Sequence, residues 1–262
     1  MSGKNGQLWG AALIAAMLLA AACGTARADD KKPADGWNFE VSPYLWVSGI
    51  KGDIGVLAQV PPAPVDISFS QLFNHIDWPA AVMLAGEARH GRFGIIGDVM
   101  YMGLKVEGET PGPEFGSGTL DVNVLIGTFD GAYRFVDLPA VKLDGIAGAR
   151  LFYVNADLAL SNGILPARSG GISETWADPL IGMRALVPLP SGFFMQGYGD
   201  VGGFGISGGD LTYELYGGFG YKFNDWLSAN MGYRYLDIQH QNGGFVFDVT
   251  MQGPLIGATL RF

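Results

Sequence analysis

An all-β fold is predicted: a transmembrane, antiparallel up-and-down β-barrel of about ten strands, with eight or twelve as the alternatives. Three observations predict it. Hydrophobic residues make up 48% of the 262, yet no apolar run after residue 28 reaches the roughly 20 residues a spanning helix needs, so the apolar residues are dispersed in short segments. Glycine supplies 41 residues, about twice the usual share, and lies within those segments. Gly weakens soluble helices and strands alike, whereas curved, closed sheets tolerate it where strands bend and lumen side chains crowd. Third, the chain ends on an alternating strand closed by an aromatic residue, Phe262, with Ile256, Ala258 and Leu260 on its face and Thr259 and Arg261 on the other.

The N-terminal segment reads as an export signal: Lys4, an apolar run from Leu8 to Ala22, then Ala26-Arg27-Ala28 before Asp29. This is an A-x-A cleavage site, so residues 1–28 are expected to be removed and 29–262 to form the barrel. The rival, a membrane anchor, needs a longer run. Cys23 is the single cysteine and falls inside the signal, so the mature chain would carry no thiol, disulfide or Cys-ligated metal. A lipoprotein reading of Cys23 lacks the Leu usual three places upstream, where Ala20 stands.

Period-2 segments between turn signals place strands at 38–50, 79–90, 93–107, 118–135, 141–160, 172–188, 192–206, 211–223, 226–239 and 245–262. An even number suits a single-chain bacterial barrel. Counting from a periplasmic N-terminus, the external connections are 51–78, 108–117, 161–171, 207–210 and 240–244. The periplasmic ones are His90-Gly91-Arg92, Asp137-Leu138-Pro139, Leu189-Pro190-Ser191 and Asn224-Asp225. The two faces separate best in 211–223, with Tyr213, Leu215, Phe219, Tyr221 and Phe223 against Glu214, Tyr216, Gly218, Gly220 and Lys222. The next strand sets Leu227, Ala229, Met231, Tyr233 and Tyr235 against Ser228, Asn230 and Arg234. In 118–135 and 245–262 the apolar phase changes midway, near Gly127 and at Gly253-Pro254, and a bulge is expected at each place to restore it. In the long 51–78 connection Ser68 and Gln71 fit a capping box. A short helix is predicted there, with Phe69, Leu72, Phe73 and Ile76 on one face packing over the rim of the barrel.

The alternation puts a nearly balanced set of charges on the inner face. The acids are Glu87, Asp98, Asp130, Asp144, Glu174, Asp178, Asp200 and Glu214; the bases are Arg89, Arg134, Arg150, Arg184, Lys222, Arg234 and Arg261. A barrel of about ten strands has a narrow interior, where unpaired charges are costly. These residues are expected to form a paired network that narrows or closes the lumen. A charged pathway for a small solute is the alternative.

Catalysis and cofactors find little support. Nucleophilic chemistry needs Ser or Thr beside an oriented base. Only His240, with Asp237 and Ser207, suggests such a set, and an isolated histidine at a strand end is ordinarily solvated. Asp237 and His240 also lack the close Asp-x-His pair of outer-membrane aspartyl-type proteases. No paired-His spacing or EF-hand loop offers a metal site. Gly199, Gly202, Gly203 and Gly205 lack the Lys-Ser/Thr of a phosphate loop. The net charge of −9 argues against nucleic acid as a partner.

Several segments carry a resemblance: Ser42-Pro43-Tyr44-Leu45-Trp46, Glu87-Ala88-Arg89 with Gly91-Arg92-Phe93-Gly94 and Asp98, Gly232-Tyr233-Arg234-Tyr235-Leu236, and Gly253-Pro254 through Arg261-Phe262. Over nearly all of the mature length the sequence resembles the small porin-like outer-membrane β-barrel proteins of proteobacteria. That resemblance implies fold and an outer-membrane location, but no substrate and no site residues. The partners expected are outer-membrane lipids and, through the strand ending at Phe262, the outer-membrane assembly machinery. The functional expectation is a structural or narrow-pore barrel with external loops for surface contacts, without enzymatic activity or cofactor. A specific channel for a small or apolar solute, suggested by Trp46, Trp176, Tyr198 and Tyr216, is the alternative. A lipid-modifying hydrolase near His240 is the third reading.

Overall fold

A computed structural model describes residues 36–55, 62–67, 82–110, 113–206 and 209–262. The signal segment 1–28, Cys23 and the helix expected over 68–76 lie outside the described residues. Trp37–Arg261 forms one compact unit.

Twelve strands are described: β1 (Trp37–Trp46), β2 (Gly49–Gly55), β3 (Ala63–Ile67), β4 (Val82–His90), β5 (Phe93–Glu109), β6 (Phe115–Leu138), β7 (Val141–Asn162), β8 (Arg168–Pro188), β9 (Phe193–Ile206), β10 (Gly209–Lys222), β11 (Leu227–Asn242) and β12 (Phe245–Arg261). All but β2 and β3 form an antiparallel ring, β1-β4-β5 and onward to β12, which returns to β1. At the height of β4, where β1 pairs with β4 and β12 and β4 with β5, closure leaves no free edge among the described residues, as lipid demands of a spanning sheet.

The connection expected over 51–78 is corrected. Its start belongs to the wall: Trp46 pairs with Leu255 and Gly49 with Gln252, one unbroken register, so β2 continues β1. The interruption lies opposite Pro254. The Val47 amide donates to the Pro254 carbonyl at 2.9 Å, but proline has no N–H to return. β3 then folds back on β2, with Ile50 opposite Ile67.

The bulges expected near Gly127 and at Gly253-Pro254 are also absent. Pairing of β5 with β6 runs without a shift from Phe93–Tyr133 to Glu109–Ser117, and that of β11 with β12 from Leu227–Leu260 to Asn242–Phe245. The side chains keep their phase; the surroundings of the two faces exchange. In the lower part of β6, Phe129 and Tyr133 face out while Thr128, Asp130 and Arg134 face in. In its upper part Val122, Val124 and Ile126 are buried inside, and Asp121 and Asn123 lie outside. β12 behaves alike: Ile256 faces out below, whereas above it Phe245, Phe247, Val249 and Met251 are buried inside, with Asp248 and Thr250 outside. Gly253 sits where the two backbones approach, and a Cβ there would strike the Val47 carbonyl.

The lower half therefore has the faces of a barrel in lipid, and the upper half those of a barrel in water. Outward Leu125 to Phe135 on β6, both exposed, span about ten residues. At roughly 3.4 Å per residue and a tilt near 40°, that is a height of about 26 Å, which matches the roughly 25 Å apolar band of outer-membrane barrels. Aromatic residues border it below: Trp37, Phe93, Phe193, Phe223 and Trp226 are all exposed. The short turns lie at that end, as predicted for the periplasmic side: Gly91-Arg92, Pro139-Ala140, a 3-10 turn at Pro190–Gly192, and 223–226. At the other end β11 and β12 join through Gly243 and Gly244, whose positive φ values of 55° and 100° suit a two-residue hairpin.

Candidate functional site in the barrel interior

Because inward residues alternate along every strand, charges distant in sequence converge in the lumen. The network nearest the periplasm is built on Asp144 of β7. Its carboxylate accepts from Arg89 Nη2 at 2.7 Å, Arg184 Nη2 at 2.7 Å, and Arg134 Nε and Nη2 at 2.8 and 3.2 Å. Glu87 bridges the first two, taking Arg89 Nε at 2.5 Å and Arg184 Nη1 at 2.8 Å. Three guanidinium groups thus share two carboxylates.

A second network lies above it. Arg150 holds Asp200 through both terminal nitrogens at 3.2 and 2.7 Å, Glu214 at 2.8 Å, and Thr128 at 3.2 Å. Arg234 donates to Glu214 at 3.0 Å and to the Tyr44 hydroxyl at 3.0 Å, and lies 3.5 Å from Asp98. Tyr44 in turn donates to Asp98 at 2.6 Å. The Arg234 guanidinium stands 4.9 Å from the Trp46 ring centroid, a cation–π contact that desolvation strengthens. Such planar, multiply bonded arginines are what buried carboxylates require.

Inward glycines make room for these groups. A Cβ at Gly182 would strike the Asp200 backbone and side chain, and one at Gly218 or Gly232 would enter the Tyr216 ring. Tyr216 lies over both glycines, its hydroxyl oxygen accepting from Gln196 at 3.0 Å and from Asn230 at 3.3 Å. Crowding of this kind accounts for these inward glycines.

Above the second network an apolar core occupies the interior. Trp46, Met100, Ile126, Phe152, Trp176, Leu236, Phe245 and Met251 are all buried. Phe152, Trp176 and His240 stack in sequence, with centroids 4.7 and 3.9 Å apart. Beside the networks, and below this core, is a chamber of about 230 Å³ bordered by Ser42, Tyr44, Asp98, Asp130, Tyr198, Tyr216, Asn230 and Thr259 among others.

Of the charges predicted to face inward, the two networks bring together Glu87, Arg89, Asp98, Arg134, Asp144, Arg150, Arg184, Asp200, Glu214 and Arg234. Asp130 and Asp178 are buried beside them, Asp178 accepting from Thr212 at 2.6 Å. Three predicted members stand apart. Lys222 is exposed at the periplasmic end and pairs with Asp225. Arg261 pairs with Glu40 at 2.9 Å. Glu174 lies near the outer end, accepting from Asn242 at 2.6 Å. The surface role expected for His240 is corrected, because it is fully buried against Trp176. Asp237 is on the outward face of the same strand, bonded to Thr250 at 2.6 Å, so it does not meet His240; Ser207, the third residue considered with them, lies outside the described residues. Glu40, Tyr44, Thr128 and Thr212 were missed. Their strand phase is the available signal; Glu40 lies at the mouth and the other three are neutral, so a search for lumen charge does not pick them out.

A closed antiparallel ring, an outward apolar belt of membrane height and an inward polar lumen define an outer-membrane β-barrel. No family model matches the chain, and no curated protein matches it. Among solved structures it is similar to the outer membrane protease OmpT from Escherichia coli, with 9% identity and a TM-score of 0.54, over 89% of this chain and 99% of that one. It is also similar to the translocator domain of the autotransporter NalP from Neisseria meningitidis, with 14% identity and a TM-score of 0.50, over 97% and 98% of the two chains. Likeness at these identities is likeness of fold.

Proposed function

We propose that this protein is a porin-like barrel of structural or narrow-pore type, which holds its extracellular wall and loops at the cell surface for contacts there. The observation that carries this reading is the apolar core from Trp46 to Phe245, which fills the described interior above the networks. An open aqueous pathway would need polar lining at that level. The reading is non-enzymatic and uses no cofactor, in keeping with the separation of Asp237 from His240. Its partners are outer-membrane lipids along the belt and the assembly machinery, which reads the strand ending at Phe262.

Planar-bilayer recording on the purified barrel tests it. No large, stable conductance is expected. Reproducible open channels would overturn the reading.

A further inference from the structure

The upper network and the two carboxylates buried beside it together hold more acid than base. Asp98, Asp130, Asp178, Asp200 and Glu214 accompany only Arg150 and Arg234, and all but Asp98 of these seven are buried. Asp130 is the acid left over. It is 3% exposed, its Oδ1 makes no hydrogen bond, and it joins no ion pair among the described residues. Its register explains this: the cross-strand neighbours of Asp130 are Ile96 and Gly148, neither of which offers a side-chain donor. A buried carboxylate without a partner is costly, and a ligand that brings both donors and positive charge would offset the cost.

The chamber is where such a ligand would sit. Asp130 borders it, together with Tyr198 and Tyr216; Arg184 and Arg234 border it too, but Arg184 is held by Glu87 and Asp144 and Arg234 by Glu214. Ser42 and Thr259, joined by a 2.9 Å hydrogen bond, form its lower wall. Below them Glu40 and Arg261 have side chains 37% and 25% exposed, so the approach is from the periplasmic mouth. At about 230 Å³ the space is below the roughly 300 Å³ at which pockets for drug-sized ligands begin. No three metal-ligating side chains converge among the described residues, which points to an organic ion.

We infer that the chamber is a periplasm-facing binding site for a small organic cation bearing a primary ammonium group, with Asp130 as its anchor. The chamber lies beneath the apolar core, so the site does not depend on whether the barrel conducts. The test is calorimetric titration of the full mature barrel in detergent with ethylammonium or putrescine, using ethanol and acetate as neutral and anionic controls. The ammonium probes are expected to bind and the controls not to bind, and Asp130→Asn should weaken the ammonium probes at least tenfold. Ser42→Phe, which fills the lower chamber and leaves Asp130 in place, should weaken them as much. It decides the matter if Asp130→Asn loses the gel shift of a folded barrel. Failure of the ammonium probes to bind, equal affinity in the folded variants, or equal binding of acetate would overturn the site. So would a carboxylic-acid carbonyl band in the infrared spectrum that disappears in Asp130→Asn, because a neutral Asp130 has no need of a cation.

Discussion

Asp144 and Met231 show how differently one substitution acts inside and outside this wall. Asp144 gathers three arginines with its side chain 3% exposed, so Asp144→Ala leaves buried guanidinium charge short of a counterion. Removing one partner of a buried pair typically costs about 3–5 kcal/mol. Urea unfolding followed by the gel shift should show a loss of that size, and an unchanged midpoint would mean that water reaches the cluster. Met231 lies outward in the belt, 47% exposed, opposite Ile256 on one side and Phe219 on the other. Met231→Arg should cost about 2–4 kcal/mol at that depth. Asn230→Arg, facing the polar chamber, should cost clearly less; equal losses would mean that the faces of β11 are misassigned.

Strands β6 and β12 show what was legible at the scale of an element and what was not. Alternation located nearly every wall strand within a few residues, because lipid, like a core, enforces a period of two. Phase alone does not say which solvent lies on which side. A change of polarity at Gly127 implies a slipped register only where one environment runs along the whole strand, but the strand leaves the membrane there and its inner face becomes the core. The split of β1 from β2 was hidden for another reason: its cause, Pro254, is more than 200 residues away in sequence and reaches it only through barrel closure. The polarity exchange can be tested within one strand. Val124→Asp places a charge in the upper core, where Val124 is 7% exposed, and should destabilise by more than about 2 kcal/mol. Asn123→Ala on the outer face should stay within about 1 kcal/mol. The closing strand supports a prediction about biogenesis: deleting Phe262 should lower the yield of folded barrel in outer membranes far more than deleting Pro166 in an exposed loop. Similar yields would remove the terminal residue from the assembly signal.

For the molecule as a whole, the inward charges were legible as a set but not as two separate networks. Strand phase puts a residue in the lumen, and only the stagger between strands decides its height. Arg150 meets Asp200 and Glu214 rather than the Asp178 beside it in register, and that choice depends on side-chain reach across the narrow interior. The exchange of polarity partway up the wall also bears on reach. From Phe115 to Val124, β6 continues about ten residues beyond the belt, a rise of roughly 25 Å at the usual tilt, with β7 paired to it in unbroken register from Gly118 to Val124. The 163–167 connection, which joins β7 to β8, is thus carried well above the lipid headgroups on a hydrogen-bonded wall. A body approaching from outside meets a stiff turret before it meets the membrane, and the flank of that turret, with Asp121, Asp157 and Asp248 facing outward, is as much part of the cell surface as the loops at its tip.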